Sequence, residues 1–261
     1  MKKIVVIIAS YNNRQWYERN LSTVVAQDYH DFRVIYVDDC SSDGTGELVE
    51  QFIADHNSGN LIHFIRNPVR LGALQNQYKA IHMCDDDEIV ILLDGDDWFA
   101  HSGVLKKIDE VYANSVCWMT YGQYRTWPDK DNMIGYSKEI PSETIDTNSF
   151  RDKEWCSSHL RSFYAWLFKL IKMEDLISPC GDFYHMAWDQ AIMFPMLEKC
   201  QGVELSSSVR CCIFIMQQIR SMTARSIVNC NEVLKRQSAC KNDMIALNEP
   251  VACFGHCRIP S

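Results

Sequence analysis

Residues 88–97 read Glu-Ile-Val-Ile-Leu-Leu-Asp-Gly-Asp-Asp, an apolar run that ends in an acidic turn. The run is short and rich in large apolar residues, which predicts a buried strand over residues 88–93. Asp94, Asp96 and Asp97 then place three carboxylates within four residues at the mouth of that strand. Hard cations prefer carboxylate oxygens and usually complete their shell with substrate phosphates. The turn therefore indicates a Mn2+ or Mg2+ site beside a diphosphate ligand.

The same turn has a second interpretation. Its aspartates could cap a helix that starts near Ser102 and lie on the surface without a cation. Acidic triplets are common, and Asp85, Asp86 and Asp87, just upstream, form one that we interpret as a solvated loop. The turn alone does not separate the two interpretations.

Upstream of the turn, short β-branched runs alternate with longer amphipathic segments. This alternation is typical of βαβ units, and it predicts an α/β fold with a mostly parallel central sheet flanked by helices. Besides 88–93, the predicted strands are residues 4–8, 32–37 and 61–65. The predicted helices are residues 16–27, 47–56 and 71–83.

Polar residues follow the predicted strands where each one ends. Ser10 and Tyr11 follow the first strand, Asp39 follows the second, and Asp94 follows the fourth. Because ligands of open α/β sheets bind beyond the carboxyl ends of the strands, we expect these residues to converge on one site.

Composition narrows the class of protein. The 261 residues carry 34 acidic and 26 basic side chains, a formal charge of -8, which argues against a nucleic-acid partner. No stretch approaches the ~20 apolar residues of a membrane span, so we expect a cytoplasmic protein that is soluble or peripherally associated with a membrane.

The 12 cysteines are scattered, which favours reduced thiols. Cys253 and Cys257 with His256 lack a second ligand pair, so we interpret them as incidental rather than a zinc site.

The second half of the chain gives weaker signals. Predicted elements are a strand at 115–124, a polar, turn-rich stretch at 128–149, an aromatic segment of helical spacing at 160–171, a helix at 186–200 and a strand at 210–217. Sugars stack on aromatic faces, so residues 163–168 could form an acceptor wall. Their helical spacing favours core packing instead.

Three motifs in chain order resemble those of glycosyltransferase family 2, whose members have the nucleotide-sugar-binding GT-A fold. They are Ile8-Ala-Ser-Tyr-Asn12, Val37-Asp-Asp-Cys-Ser-Ser-Asp-Gly-Thr45 and Leu92-Leu-Asp-Gly-Asp-Asp97. The second motif is the most specific. The resemblance is strong over residues 1–100, weaker over 185–225 and vague between them.

The resemblance implies roles for the residues of these motifs. Tyr11, beside Ser10, would pack on the nucleobase of a UDP-sugar, and Asp39 would accept a hydrogen bond from that base. A turn carboxylate that caps Ser41 or Ser42 is the other interpretation of Asp39. Ser42 and Asp43 themselves fit turn and N-cap positions better than ligand positions.

In the acidic turn, the resemblance places Asp97 on the divalent metal. Asp96 would lie near the ribose or make a second metal contact, and Asp94 would support the donor site. A basic residue near the nucleotide could be Arg66 or Arg70, of which Arg70 is our preferred candidate.

Ala187-Trp188-Asp189-Gln190 resembles the segment in which the family usually shows an acidic residue followed by the catalytic aspartate. Asp189 is therefore the candidate general base for an inverting transfer, because the attacking acceptor hydroxyl must lose a proton. Trp188 departs from the usual acidic neighbour. Downstream, Gln217 stands where relatives have a tyrosine, and Arg220 could replace their diphosphate-binding cation.

We therefore predict one GT-A domain over residues 1–261. Residues 1–113 would form the nucleotide-sugar half, 114–222 the acceptor half, and 223–261 a tail of undetermined order. The acceptor, whether a saccharide, a lipid-linked saccharide or a protein, is not specified by the sequence. Two rivals are a non-catalytic nucleotide-sugar-binding partner protein and a sugar-phosphate nucleotidyltransferase. The second should carry a glycine-rich loop after the first strand, which residues 10–14 do not supply.

Overall fold

The computed structural model describes residues 1–113, 117–125, 127, 135–201 and 213–216. Its strands are β1 (Ile4–Ser10), β2 (Phe32–Asp38), β3 (Ile62–Arg66), β4 (Ile89–Asp94), β5 (Met119–Gly122), β6 (Ser158–Tyr164) and β7 (Ile213–Met216). Its α-helices are α1 (Tyr17–Val25), α2 (Thr45–Asp55), α3 (Ala73–His82), α4 (Val104–Tyr112), α5 (Ser142–Asp146), α6 (Ala165–Lys169) and α7 (Trp188–Gln201). Short 3-10 helices cover Phe150–Asp152 and Met173–Leu176.

The described strands form one sheet in the order β3-β2-β1-β4-β6-β5-β7. β1 pairs in parallel with β2 and β4, and β2 pairs in parallel with β3. β6 runs antiparallel to both of its neighbours, β4 and β5. The predicted α/β fold with a mostly parallel central sheet is confirmed.

The strand order reverses between β1 and β4. From β1 the chain adds β2 and β3 on one side, and β4 then pairs with the other side of β1. Loops leave such a reversal point in opposite directions and open a crevice beyond the carboxyl ends of the two strands. Ser10, which ends β1, and Asp94, which ends β4, therefore meet at this crevice.

Apolar side chains fill both faces of the sheet. In β1, Val5 and Ile7 join one buried cluster, while Ile4, Val6 and Ile8 join the other. This two-sided burial explains why the strand reads as a continuous apolar run rather than an alternating one. The resulting rigid sheet fixes the loops at its carboxyl edge.

The prediction of helical spacing over residues 160–171 was wrong for its first half. That part is the strand β6, and the helix α6 begins only at Ala165. β6 lies between β4 and β5, so pairing on both sides outweighs a local periodicity that either element could show. Phe163, Leu167 and Phe168 are all buried, which confirms core packing for most of this segment.

The other elements of the second half agree with the predictions, with shorter bounds. The strand predicted at 115–124 is β5, the helix at 186–200 is α7, and the strand at 210–217 is β7. The turn-rich stretch 128–149 contains the short helix α5. Among the described helices, none has the length and apolar character needed to cross a bilayer.

Candidate active site

Tyr11 lies directly after β1 and stacks with Arg70 in a cleft. The guanidinium carbon of Arg70 lies 3.9 Å from the centroid of the Tyr11 ring. Both residues line the same cleft, and Tyr11 is 36% exposed. Arg66, the other basic candidate, pairs instead with Glu47 and with Asp38. Of the two arginines, Arg70 is the one that lines the cleft.

Asp39 organises the loop that carries Arg70. Its Oδ1 accepts hydrogen bonds from Asn67 Nδ2 at 2.9 Å and from the backbone N–H of Leu71 at 2.8 Å. Its Oδ2 accepts the backbone N–H of Gly72 at 2.8 Å. Burial by itself would raise the pKa of Asp39, but these donors and the Asn76 amide outweigh it and lower the pKa. The carboxylate is thus ionised and directed at the loop.

The turn after β2 is capped by other residues. Asp38, not Asp39, accepts the backbone N–H of Ser41, and Asn12 Oδ1 accepts that of Ser42. The capping interpretation of Asp39 is therefore wrong. Asp43 accepts both the N–H and the hydroxyl of Thr45, which confirms its role in closing the turn before α2.

The acidic turn is fastened to β1 and α1. Buried Asn20, on α1, donates from Nδ2 to the backbone carbonyls of Asp94 at 3.0 Å and Asp97 at 2.6 Å. An ideal Cβ on Gly95 would lie 2.8 Å from both Cβ and Oγ of Ser10, so the turn packs closely on the end of β1. Ser10 itself is buried beneath the turn. The helix α4 begins after Gly103 without a side-chain cap, so these aspartates do not serve as its cap.

His159, on β6, lies beside the acidic turn that follows the neighbouring strand β4. Its Nδ1 lies 4.0 Å from Oδ2 of Asp94 and 4.0 Å from Oδ2 of Asp97. Ligand atoms of these three residues all lie within 4.8 Å of one another. The sequence analysis missed His159, because no motif links it to the turn and only the pairing of β4 with β6 brings it there. Asp96 lines the cleft beside this group.

Burial shifts the pKa values of Asp94 and His159 in opposite directions, because it disfavours the charged form of each side chain. It raises the pKa of Asp94 to about 7, with the charge of Asp96 adding to the rise and that of Arg161 opposing it. It also lowers the pKa of His159 well below 6.5, and the positive charge of Arg161 adds to that effect. The imidazole is therefore neutral at pH 7, which leaves a ring nitrogen lone pair available to a metal.

Two carboxylates and one neutral imidazole fit a divalent transition metal. Carboxylate oxygens suit Mg2+ and Mn2+, and imidazole nitrogens bind divalent transition metals. The residues present thus fit a divalent cation at this group.

Asp189 lies in the first turn of α7, next to a residue that lines the cleft. Its Oδ2 lies 3.1 Å from Nη2 of Arg161, and its Oδ1 accepts the backbone N–H of Gln190 at 2.9 Å. Trp188, beside it, lines the cleft together with His185. The residue predicted as the base is thus next to the cleft and held by two contacts.

One cleft of ≈ 1030 Å³ is lined by residues from several of these groups. Tyr11, Arg70, Asp94, Asp96 and Trp188 all line it. Pockets of several hundred cubic ångströms are typical of small-molecule sites. Arg220, Gln217, the tail from residue 223 and the Cys253–Cys257 pair lie outside the described residues. The six cysteines within the described part, Cys40, Cys84, Cys117, Cys156, Cys180 and Cys200, are free thiols.

The fold and the placement of this cleft define a GT-A type domain, and comparisons with known proteins identify its family. The model of glycosyl transferase family 2 matches residues 5–170, and the chain belongs to that family. It is 27% identical over 166 residues to the putative colanic acid biosynthesis glycosyl transferase WcaA of Escherichia coli, an alignment that covers 58% of each chain.

Solved structures show the same fold at lower identity. Staphylococcus aureus TarS, residues 1–349 in complex with UDP-GlcNAc, matches with a TM-score of 0.60 at 18% identity, over 86% of this chain and 60% of that one. The mannosyltransferase PcManGT of Pyrobaculum calidifontis, in complex with GDP-Man and Mn2+, matches with a TM-score of 0.54 at 16% identity, over 97% and 66%. The chain spans about three-fifths of the length of WcaA and of the TarS fragment.

Proposed function

We propose that this protein transfers a sugar from a nucleotide-sugar, a UDP-sugar by preference, to an acceptor hydroxyl with inversion at the anomeric carbon. The observation that carries the proposal is the cleft, which is lined both by the stacked pair Tyr11 and Arg70 and by the acidic residues Asp94 and Asp96. Asp189 lies beside the same cleft. Membership of glycosyl transferase family 2 and the UDP-GlcNAc in the TarS complex support this choice of donor.

The nucleotide would lie along the cleft from base to diphosphate. Tyr11 would pack on the base, and Arg70, already stacked on that ring, would neutralise part of the phosphate charge. A carboxylate has about four lone-pair sites, so Asp39, with three occupied, could still accept one hydrogen bond from the base. Its larger contribution would be to hold the loop of Leu71 and Gly72 against the ligand.

A divalent cation would be held by Asp97, Asp94 and His159, with Asp96 on the ribose side or as a further ligand. When bound, it would supply positive charge that stabilises the departing diphosphate. The Mn2+ in the PcManGT complex supports a divalent cation as cofactor. The backbone of Asp94 and Asp97 is tied to α1 through Asn20, so the turn that carries the carboxylates is fixed before the ligand arrives.

Asp189 would act as the general base. The acceptor oxygen forms a bond to the anomeric carbon while its proton passes to the Asp189 carboxylate. The bond from that carbon to the diphosphate oxygen breaks, and the electron pair leaves with the nucleoside diphosphate. A base on the face opposite the leaving group gives inversion.

UDP release tests this function directly. The purified protein is incubated with Mn2+ and UDP-glucose, UDP-galactose or UDP-N-acetylglucosamine, with GDP-mannose as the control donor, against a panel of saccharide acceptors and water. We expect turnover with one UDP-sugar, and a loss of about 100-fold or more in kcat for Asp97→Ala and for Asp189→Asn. Asp87→Asn is the matched control, because Asp87 is an exposed aspartate of the nearby acidic triplet.

Two results would contradict the proposal. Near wild-type turnover of Asp97→Ala and Asp189→Asn at saturating substrates would refute their roles. Tight UDP binding by calorimetry without turnover across the panel would favour the non-catalytic binding protein instead.

A further inference from the structure

Arg161 is a charged side chain inside the sheet that the proposed chemistry does not use. It lies on β6, opposite Leu92 of β4, and is only 2% exposed. Burying a cation is unfavourable unless it is paired and hydrogen-bonded. Its partners therefore indicate what it does.

The partner of Arg161 is Asp189. Nη2 of the guanidinium lies 3.1 Å from Oδ2 of the carboxylate. The guanidinium carbon lies 5.6 Å from the centroid of the Trp188 ring, so the indole packs next to the ion pair. Within the part of the chain that the structure describes, Nε of Arg161 has no hydrogen-bond partner. The pair with Asp189 is thus the main contact that directs this guanidinium.

The ion pair joins an inner strand of the sheet to the first turn of a helix. Arg161 belongs to a strand with neighbours on both sides, whereas Asp189 lies in the first turn of α7, at the edge of the cleft. A carboxylate at a helix start has several side-chain rotamers, and the fixed guanidinium selects one of them. The indole of Trp188 packs next to the pair, and an apolar neighbour strengthens the attraction between the two charges. This packing gives a structural reason for a tryptophan where the family usually has an acidic residue.

We propose that Arg161 is a positioning residue for the transfer, which holds the Asp189 carboxylate in the orientation that meets the acceptor hydroxyl. The proposal rests on the role of Asp189 as the base. Arg161 acts through Asp189 and does not contact the substrate. Loss of Arg161 should therefore lower kcat far more than it changes the KM for the donor, because Tyr11 and Arg70 are elsewhere in the cleft.

A double-mutant cycle tests this coupling. The variants are Arg161→Met, which retains much of the side-chain volume, Asp189→Asn, and the two combined, with UDP release measured over long incubations for the donor that the screen selects. Arg161→Met should lower kcat about 100-fold in the wild-type background, as expected for a misplaced reacting group. It should cause no further loss in the Asp189→Asn background. Arg161→Lys, which keeps the charge but not the forked geometry, should recover part of the rate.

Arg151→Met is the matched control. Arg151 also forms an ion pair with a residue of α7, Glu198, but that pair is not part of the cleft. Its kcat and KM should remain those of the wild type. Circular dichroism melting checks that each variant folds, and if Arg161→Met does not fold, Arg161→Lys replaces it in the cycle.

The outcomes separate this proposal from the proposed function. A folded Arg161 variant with wild-type kcat, or one that loses the same factor in both backgrounds, overturns the positioning role. A raised donor KM with unchanged kcat overturns it as well. Wild-type turnover of Asp189→Asn, by contrast, refutes the base itself, independently of Arg161.

Discussion

At the scale of single residues, the site depends on buried polar groups whose hydrogen bonds are made before any ligand binds. Asp39 is the clearest example, since it is 3% exposed and accepts three N–H groups from the loop that carries Arg70. Removing one partner of such a bond leaves the others unsatisfied, which costs about 1–3 kcal/mol per buried group. The residue that the sequence assigns to base recognition therefore also has a structural function.

Asp39→Asn should lower both stability and nucleotide affinity. An amide in place of the carboxylate directs its own N–H groups at the donors of Leu71 or Gly72, and we expect a loss of about 1–3 kcal/mol in the free energy of unfolding at pH 7. Urea denaturation of the variant and the wild type measures it. Ser42→Ala, a change in the exposed turn whose hydroxyl none of these bonds uses, is the control.

The pH dependence of this effect follows from the pKa of Asp39. Its folded pKa lies below the ordinary value of 3.8, so its stabilisation is present above that value and is lost as the pH falls through the folded pKa. The difference in unfolding free energy between wild type and Asp39→Asn should therefore be constant near neutral pH and shrink below about pH 4. A difference that grows as the pH falls would contradict the assignment.

At the scale of elements, β6 is held closely between β4, which leads into the acidic turn, and β5, which packs on the backbone of His159. An ideal Cβ on Gly122 of β5 would lie 2.8 Å from the backbone nitrogen of Leu160 and 3.1 Å from the carbonyl oxygen of His159. These are backbone atoms of β6, so the strand itself would have to move. A glycine is required here by space rather than by an unusual backbone angle.

Gly122→Ala should therefore be destabilising and should displace His159. We expect a loss of about 1–3 kcal/mol, as for other overpacking substitutions. Thermal unfolding and Mn2+ affinity by calorimetry measure the two effects. Gly59→Ala is the control, because a Cβ there would meet Ile53 at an ordinary 4.0 Å. Unchanged stability together with unchanged Mn2+ affinity would show that β6 accommodates the methyl group.

At the scale of the whole molecule, the proposed donor site assembles residues from both sides of the strand-order reversal. Tyr11 follows β1, Arg70 follows β3, Asp97 follows β4 and His159 lies on β6. A ligand that contacts all of them stabilises the sheet against unfolding. Ligand present at 100 times its Kd contributes about 2.7 kcal/mol.

UDP should therefore raise the Tm in the presence of Mn2+ and raise it much less with the metal chelated. The shift should be lost in Asp97→Ala and reduced in His159→Gln. His63→Gln, a change at an exposed position of β3, should retain it. Electron paramagnetic resonance supplies a second measurement. Bound Mn2+ should show coupling to an imidazole nitrogen, and this coupling should disappear in His159→Gln while Mn2+ is still bound. Nitrogen coupling that persists in His159→Gln would exclude His159 as the ligand.

The sequence by itself determined the elements of the first hundred residues and the residues that follow each strand. It could do so because those strands are short buried runs bounded by turns, and their polar ends belong to three ordered motifs. Tyr11, Asp39, Asp94 and Asp97 were all predicted in this way. Signals of this kind are local, so they can be interpreted without knowledge of the tertiary structure.

Only the tertiary structure decided which strands are neighbours and which side chains of β6 contact the acidic turn and α7. Residues 158–164 have an apolar pattern that a helix or a strand could show, and pairing with β4 and β5 makes them a strand. That pairing puts His159 beside the acidic turn and Arg161 beside Asp189, contacts between residues far apart in the chain. No spacing rule encodes such pairs, because they depend on which strands become neighbours and on the register between them.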